Sequence, residues 1–374
     1  MDWIVLIFIT MLFLAYANGA NDNFKGVATL FGSNTLSHRN SLFLATVATL
    51  AGSLTAAFFA TELARVFSGK GLVPDSLVTA PEFMLSVMIG AAMTVFVAAK
   101  VGIPISTTHS LIGGLVGAGV VAAGSKMNLE ALGHTYVIPL AVSPLIAVVV
   151  AAILYLMLTT TRKRLGINKE SCLCIGERRL DVVVPEGVAP AAMLSTLDVV
   201  VDDIANCNAK AIDLYRGRML GLSIQHMVDA LHILSATAVS FARGLHDTPK
   251  IVGVAITAGA LNLHWVTFLA AVVMALGGIF QSQKIAKTMS NDITSINHGQ
   301  GLAANLVTSV MVLFASKWGV PVSTTHVSCG SIFGIGSVNG KTNWSIVRGI
   351  VLAWVLTLPI AAAIAATAYA LLTW

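Results

Sequence analysis

Pro104-Ile105-Ser106-Thr107-Thr108-His109 returns almost unchanged as Pro321-Val322-Ser323-Thr324-Thr325-His326, and the reading of this pair decides the fold. Aligning Lys100 to Gly119 with Lys317 to Gly336, a shift of 217, gives ten identities in twenty positions. A duplication this sharp in so apolar a chain points to one site built from two halves. Proline suits the first turn of a helix, and Ser or Thr beside it can cap backbone N–H groups that lack helical partners. Such a helix start carries roughly +0.5 charge and outward-facing donors, which makes it a ready anion site. Two that converge would offer about one positive charge, together with the hydroxyls of Ser106, Thr107, Thr108, Ser323, Thr324 and Thr325. The bland alternative is two ordinary capped helices, each with a buried histidine.

A second repeated element lies upstream in each half. The apolar run over 3–31 is interrupted by Asn18-Gly19-Ala20-Asn21-Asp22-Asn23, a polar knot that a lipid-facing helix would not carry. It predicts a helix break that faces protein or a water-filled cavity. Matching Asp22 to Asp247, a shift of 225, also superposes Ala17 on Ala242, Gly19 on Gly244 and Lys25 on Lys250. The duplication therefore covers whole halves. Carboxylates inside a membrane are costly and mark ion or proton pathways, so Asp22 and Asp247 are candidates for function. Asp229 and Asp292, with no counterpart in the first half, are weaker ones. Lys25, Arg243 and Lys250 could neutralise the carboxylates or attract an anion, and equally could snorkel at a helix end. His109 and His326 read as core imidazoles bonded to nearby carbonyls rather than as a proton relay. Gln281, Gln283, Asn291, Asn297 and Gln300 read as a solvated turn.

Of the 374 residues, 56% are hydrophobic and 10% charged, against about 25% charged in soluble domains. The class is therefore an all-α integral membrane protein. Residues 1–159 form a first membrane repeat, 160–218 a polar loop and 219–374 a second repeat. Spans are expected near 3–31, 41–60, 83–99, 104–122 and 136–159, then near 219–243, 251–261, 265–281 and 300–316, followed by the second Pro-Val-Ser-Thr-Thr-His segment and a final span at 346–373. Taking each knot-bearing segment as one crossing gives about ten in all, including broken helices or re-entrant hairpins. Five crossings per half invert the second copy, and inverted repeats with broken helices near the midplane are a secondary-transporter signature. Basic residues at Arg39, Lys284, Lys287, Lys341 and Arg348 and at both ends of the loop place that loop in the cytoplasm and both termini outside, in the plasma membrane. The net charge of +5 does not indicate nucleic acid, because nine of the 22 basic residues lie in this loop beside eight acids. The opening residues, with Asp2 and no basic stretch, read as a first span rather than a cleaved leader. Cys172, Cys174, Cys207 and Cys329 suggest free thiols, with no metal-site spacing.

These motifs together resemble the inorganic phosphate transporter family, the PiT symporters: Asn18 to Asp22, Gln300-Gly301 before a span, and Pro-x-Ser-Thr-Thr-His in both halves. The resemblance covers nearly the whole chain outside the loop. It implies uptake of inorganic phosphate coupled to sodium or protons, by alternating access in an inverted-repeat bundle, with no other cofactor and no enzymatic activity. It assigns the phosphate to Ser106, Thr107, Thr108, Ser323, Thr324, Thr325 and Asn23. The coupling cation falls to Asp22, Asn18, Asn21, Asp247 and Thr248. His246 departs from the family, which has Asn before the second Asp. Sodium is favoured over protons because the motifs offer oxygen donors, which hard cations prefer. The lipid bilayer is the remaining partner, and a homodimer is compatible with the sequence. Other readings are a permease for sulfate or another tetrahedral oxyanion, a passive anion channel, and a hydrolase using Ser323, His326 and Asp247. The duplication opposes the hydrolase, which needs only one nucleophile. Two carboxylates beside two helix starts should repel phosphate until cations bind, so anion and cation binding should depend on each other.

Overall fold

A computed structural model describes residues 3–59, 61–167, 171–179, 195–203, 205–206, 219–256 and 263–374. Asp2, Lys169, Cys207, Lys210, Arg216, Arg218 and the end of the expected 251–261 span lie outside them. Among the described residues the long helices are α1 (Trp3–Asp22), α2 (His38–Phe59), α3 (Pro81–Val101), α4 (Thr107–Ala123) and α5 (Ile138–Arg164) in the first half. Their counterparts are α6 (Ile224–Ile256), α7 (Leu263–Gln281), α8 (His298–Lys317), α9 (Thr324–Asn339) and α10 (Trp344–Thr373). Among the described residues, eight helical stretches are long and apolar enough to cross a membrane. Helices α6 and α9 are not among them. The first carries Asp229, Arg243, Asp247 and Lys250, and the second has 16 residues, a rise of about 24 Å against a hydrocarbon core of about 30 Å.

Two compact units divide the chain, Met1–Tyr155 with His232–Trp374, and Leu156–Leu231. The smaller unit departs from the expected polar loop. It holds a three-stranded antiparallel sheet of β1 (Ser171–Arg179), β2 (Ser195–Asp203) and β3 (Met219–Ser223), in the order β2-β1-β3. The span expected from 219 thus begins five residues later, because Met219–Ser223 pairs with β1 and the helix starts at Ile224. Cys172 is free, whereas Cys174 is disulfide-bonded, contrary to the expectation of free thiols.

Glycine sets the closest contacts of the larger unit. A Cβ added at Gly19 would lie 1.9 Å from the Met274 carbonyl oxygen, and one at Gly277 2.1 Å from that of Tyr16, so α1 and α7 meet backbone to backbone. The matching positions do the same between α6 and α2, where Gly244 abuts the Thr49 carbonyl and Gly52 that of Phe241. Small residues at such points allow helices to approach closely. Each contact joins one half to the other. Helix α4 likewise lies on α10 through Gly113 and Gly117, and α9 lies on α5 through Gly330 and Gly334.

Neither polar knot breaks its helix outright. α1 runs helical to Asp22, tightens into a 3₁₀ turn over Asn23–Val27 and continues as a short α-helix, Ala28–Gly32. α6 passes through its knot without interruption, with Pro249 inside it. A break is unnecessary because the polar side chains find partners inside the protein.

Candidate functional site

The two double-threonine segments start helices three residues later than their prolines suggest. Pro104 and Pro321 lie in the lead-in, and Ser106 and Ser323 are the N-caps of α4 and α9. Ser106 Oγ accepts from the His109 backbone N–H at 3.1 Å, and Ser323 Oγ accepts from that of His326 at the same distance. This is the helix-capping geometry expected of serine. It commits both serine oxygens to backbone donors and turns the threonines toward the polar knots.

In the first half, Asp22 pairs with Lys25, one helical turn on, and both are buried. Asn18 Nδ2 donates to Asp22 Oδ2 and to Thr107 Oγ1, each at 2.9 Å, and Thr107 Oγ1 lies 3.3 Å from Asp22 Oδ2. Lys25 Nζ also donates to Asn21 Oδ1 (2.7 Å), the Ile105 carbonyl (2.9 Å) and, from the other half, Thr325 Oγ1 (2.7 Å). Asn21 closes the knot by donating to the Ile103 carbonyl and accepting from the Ile105 N–H.

The second half repeats the arrangement with the partners exchanged. Asp247 pairs with Lys250 at 3.2 Å and accepts from Thr324 Oγ1 at 3.3 Å. Lys250 Nζ donates to the Val322 carbonyl (3.1 Å) and crosses to Thr108 Oγ1 in the first half (2.7 Å). The crossed threonines complete the symmetry, since Thr108 donates to the Val322 carbonyl and Thr325 to that of Ile105. One threonine of each pair thus serves its own half's carboxylate, and the next serves the other half's lysine.

Two of the expected site residues stand aside from this cluster. Thr248 donates to Ser53 Oγ at 2.8 Å, a bond between α6 and α2. Asn23, its counterpart, donates to Thr46 Oγ1 and accepts from Arg243 Nη2 at 3.3 Å. Asp229 accepts from Gln225 in the smaller unit, and Asp292 is part-exposed at the end of a π-helical turn. Gln300 and Asn297 are not a solvated turn: they form a reciprocal capping box at the start of α8.

The sequence left Arg243 open between attracting an anion, neutralising the carboxylates and snorkelling at a helix end, and it gave no sign that the repeated histidines meet. Arg243 stands at the position matching Asn18 and is 2% exposed. Its Nη2 bonds Asn23 and Thr49, while Nε and Nη1 have no hydrogen-bond partner. It lines a cavity of ≈ 10 Å³ together with Lys25, Thr308, Thr324 and Ser328, about the volume one water needs. The rings of His109 and His326 lie 4.3 Å apart, and the His326 ring lies 3.8 Å from that of Trp354 at a tilt of 33°, while Trp354 Nε1 donates to the Pro104 carbonyl. The signal for both was the shift that aligns the halves. The hydrolase arrangement is not assembled, because Ser323 caps a helix and Asp247 is held by Lys250 and Thr324.

The chain is similar to a sequence of Haemophilus influenzae named as a candidate phosphate permease, with 25% identity over 402 residues, 96% of this chain and 93% of that one. It is 27% identical to a probable low-affinity inorganic phosphate transporter of Mycobacterium tuberculosis, over 98% of this chain and 77% of that one. A solved structure titled the sodium-dependent phosphate transporter has the same fold, with a TM-score of 0.76 at 20% identity, covering 100% of this chain and 99% of that one. The family model described as the phosphate transporter family matches residues 18–365, and the chain belongs to that family of membrane transporters.

Proposed function

We propose that the protein imports inorganic phosphate across the plasma membrane by symport with a cation, alternating access around a site to which both repeats contribute. Residues 1–159 and 219–374 are the two repeats, inverted relative to each other, and 160–218 is a cytoplasmic insert, with both termini outside. The observation that carries this reading is the crossing of partners between halves, Lys25 to Thr325 and Lys250 to Thr108, at the starts of α4 and α9. Helix starts favour anions, and a site shared by two halves can change its exposure when one half moves against the other. Sodium and protons are the two candidate coupling ions, and the name of the structural neighbour speaks for sodium by analogy. Uptake of labelled phosphate into proteoliposomes, with sodium and proton gradients imposed separately, tests the proposal. Accumulation against a phosphate gradient, competed weakly by sulfate, is expected. Equal competition by sulfate would make the protein a general oxyanion permease, and equilibration without accumulation would make it a channel.

A further inference from the structure

The two carboxylates assigned to coupling cations are each already faced by an ammonium. Lys25 Nζ sits among four oxygens, those of Asn21, Asp22, Ile105 and Thr325. That is one more acceptor than an ammonium has N–H donors, and carboxylate, carbonyl, amide and hydroxyl oxygens are the set that binds hard cations. Lys250 Nζ sits among three, those of Thr108, Asp247 and Val322. Both lysines are buried, with relative exposures of 3% and 0%, so neither is a side chain reaching out to a membrane surface.

Arg243 changes the balance further. Its unpartnered Nε and Nη1 are buried, and its side chain lines the cavity beside Lys25 and Thr324. Three fixed cations, Lys25, Lys250 and Arg243, therefore stand against two carboxylates, a net formal charge of +1 in which the nearby His109, His246 and His326 count as neutral. The repulsion expected from the sequence does not arise, because the protein supplies its own counter-ions. A cavity of ≈ 10 Å³ is smaller than phosphate, so binding the anion requires the lining side chains to move.

We infer that Lys25 and Lys250 are tethered substitutes for two bound cations and that Arg243 is the cation that binds the substrate, so that phosphate binds this site without sodium. The inference rests on the phosphate reading above. The test is equilibrium binding of inorganic phosphate to the purified full chain at one pH, in sodium or in an equal concentration of N-methylglucamine. Affinities within threefold of each other are expected, and a stronger sodium requirement would overturn the inference while leaving phosphate transport intact. Absence of phosphate binding in both salts would overturn the phosphate reading itself, and the inference with it. Arg243→Gln should weaken phosphate binding at least tenfold, and unchanged affinity would remove Arg243 from the site. Lys25→Asn, which opens an oxygen cage at Asp22, should make binding sodium-dependent by at least tenfold. Folding of both variants is checked by size-exclusion elution, and the wild-type salt comparison decides the inference whether or not they fold.

Discussion

The two halves hold the same frame and differ in charge. Aspartate, lysine one turn later, a threonine on the carboxylate, a threonine from the other half on the lysine and a carbonyl beneath it occur in both. Where the first half has Asn18 and Asn21, the second has Arg243 and His246. Asn18 donates to its own carboxylate, whereas Arg243 bonds Asn23 and Thr49 through Nη2 and leaves its other two guanidinium nitrogens without partners. Asn21 joins the lysine cage, whereas His246 bonds Ser316 and the Val322 carbonyl instead. The duplicated frame serves the fold of both halves, and the positions free to diverge have made one side of the site more positive.

The largest effect is expected from removing one carboxylate charge at a time. Breaking a buried ion pair costs about 3–5 kcal/mol because the remaining charge is uncompensated. Asp247→Asn should cost more than Asp22→Asn, since Lys250 would keep two other oxygens and Lys25 three. Thermal unfolding of the two purified variants measures this, and equal losses would mean that cage size does not matter.

An intermediate effect should follow from Gly19→Ala and Gly244→Ala. The added Cβ would meet carbonyl oxygens at 1.9 and 2.1 Å, and such overpacking costs about 1–3 kcal/mol. Similar losses in the two variants would support equivalent helix contacts. A loss confined to one of them would show that the halves bear unequal shares of the packing.

His246→Asn makes the second half more like the first and should have the smallest effect. It forfeits one of two hydrogen bonds, about 0.5–1.5 kcal/mol net, with phosphate affinity within threefold of wild type. A large loss of affinity at unchanged stability would promote His246 from the frame to the binding site.

Much of this was legible from residue identity, because duplication writes the same constraint twice. The shift of 225 located Asp22 and Asp247, and the shift of 217 located the capped helix starts at Ser106 and Ser323. What could not be read was which partner each group takes. Lys25 lies one turn from Asp22, so its ion pair was within reach of sequence reasoning, yet a lysine near an apolar segment reads equally well as a snorkelling side chain. Its bond to Thr325 spans 300 residues and depends on how the halves fold together. Arg243 was visible as the counterpart of Asn18, but its unpartnered nitrogens exist only once α2 and the 3₁₀ turn after α1 pack around it. The sheet of the smaller unit escaped because fifteen residues separate each strand from the next in sequence (180–194 and 204–218) and the strands carry no repeat to compare.

The bond from Lys25 to Thr325 also sets a timetable for biogenesis. With 300 residues between the partners, and synthesis at about 5–20 residues per second, Lys25 is made roughly 15–60 s before the hydroxyl that completes its cage. Thr108 waits in the same way for Lys250, 142 residues behind it. During that interval α1 holds a charged knot whose internal partners are incomplete, in a solvent where unpaired polar groups are costly. The nascent first half is therefore expected to stay in a wet environment until the C-terminal half supplies the missing partners.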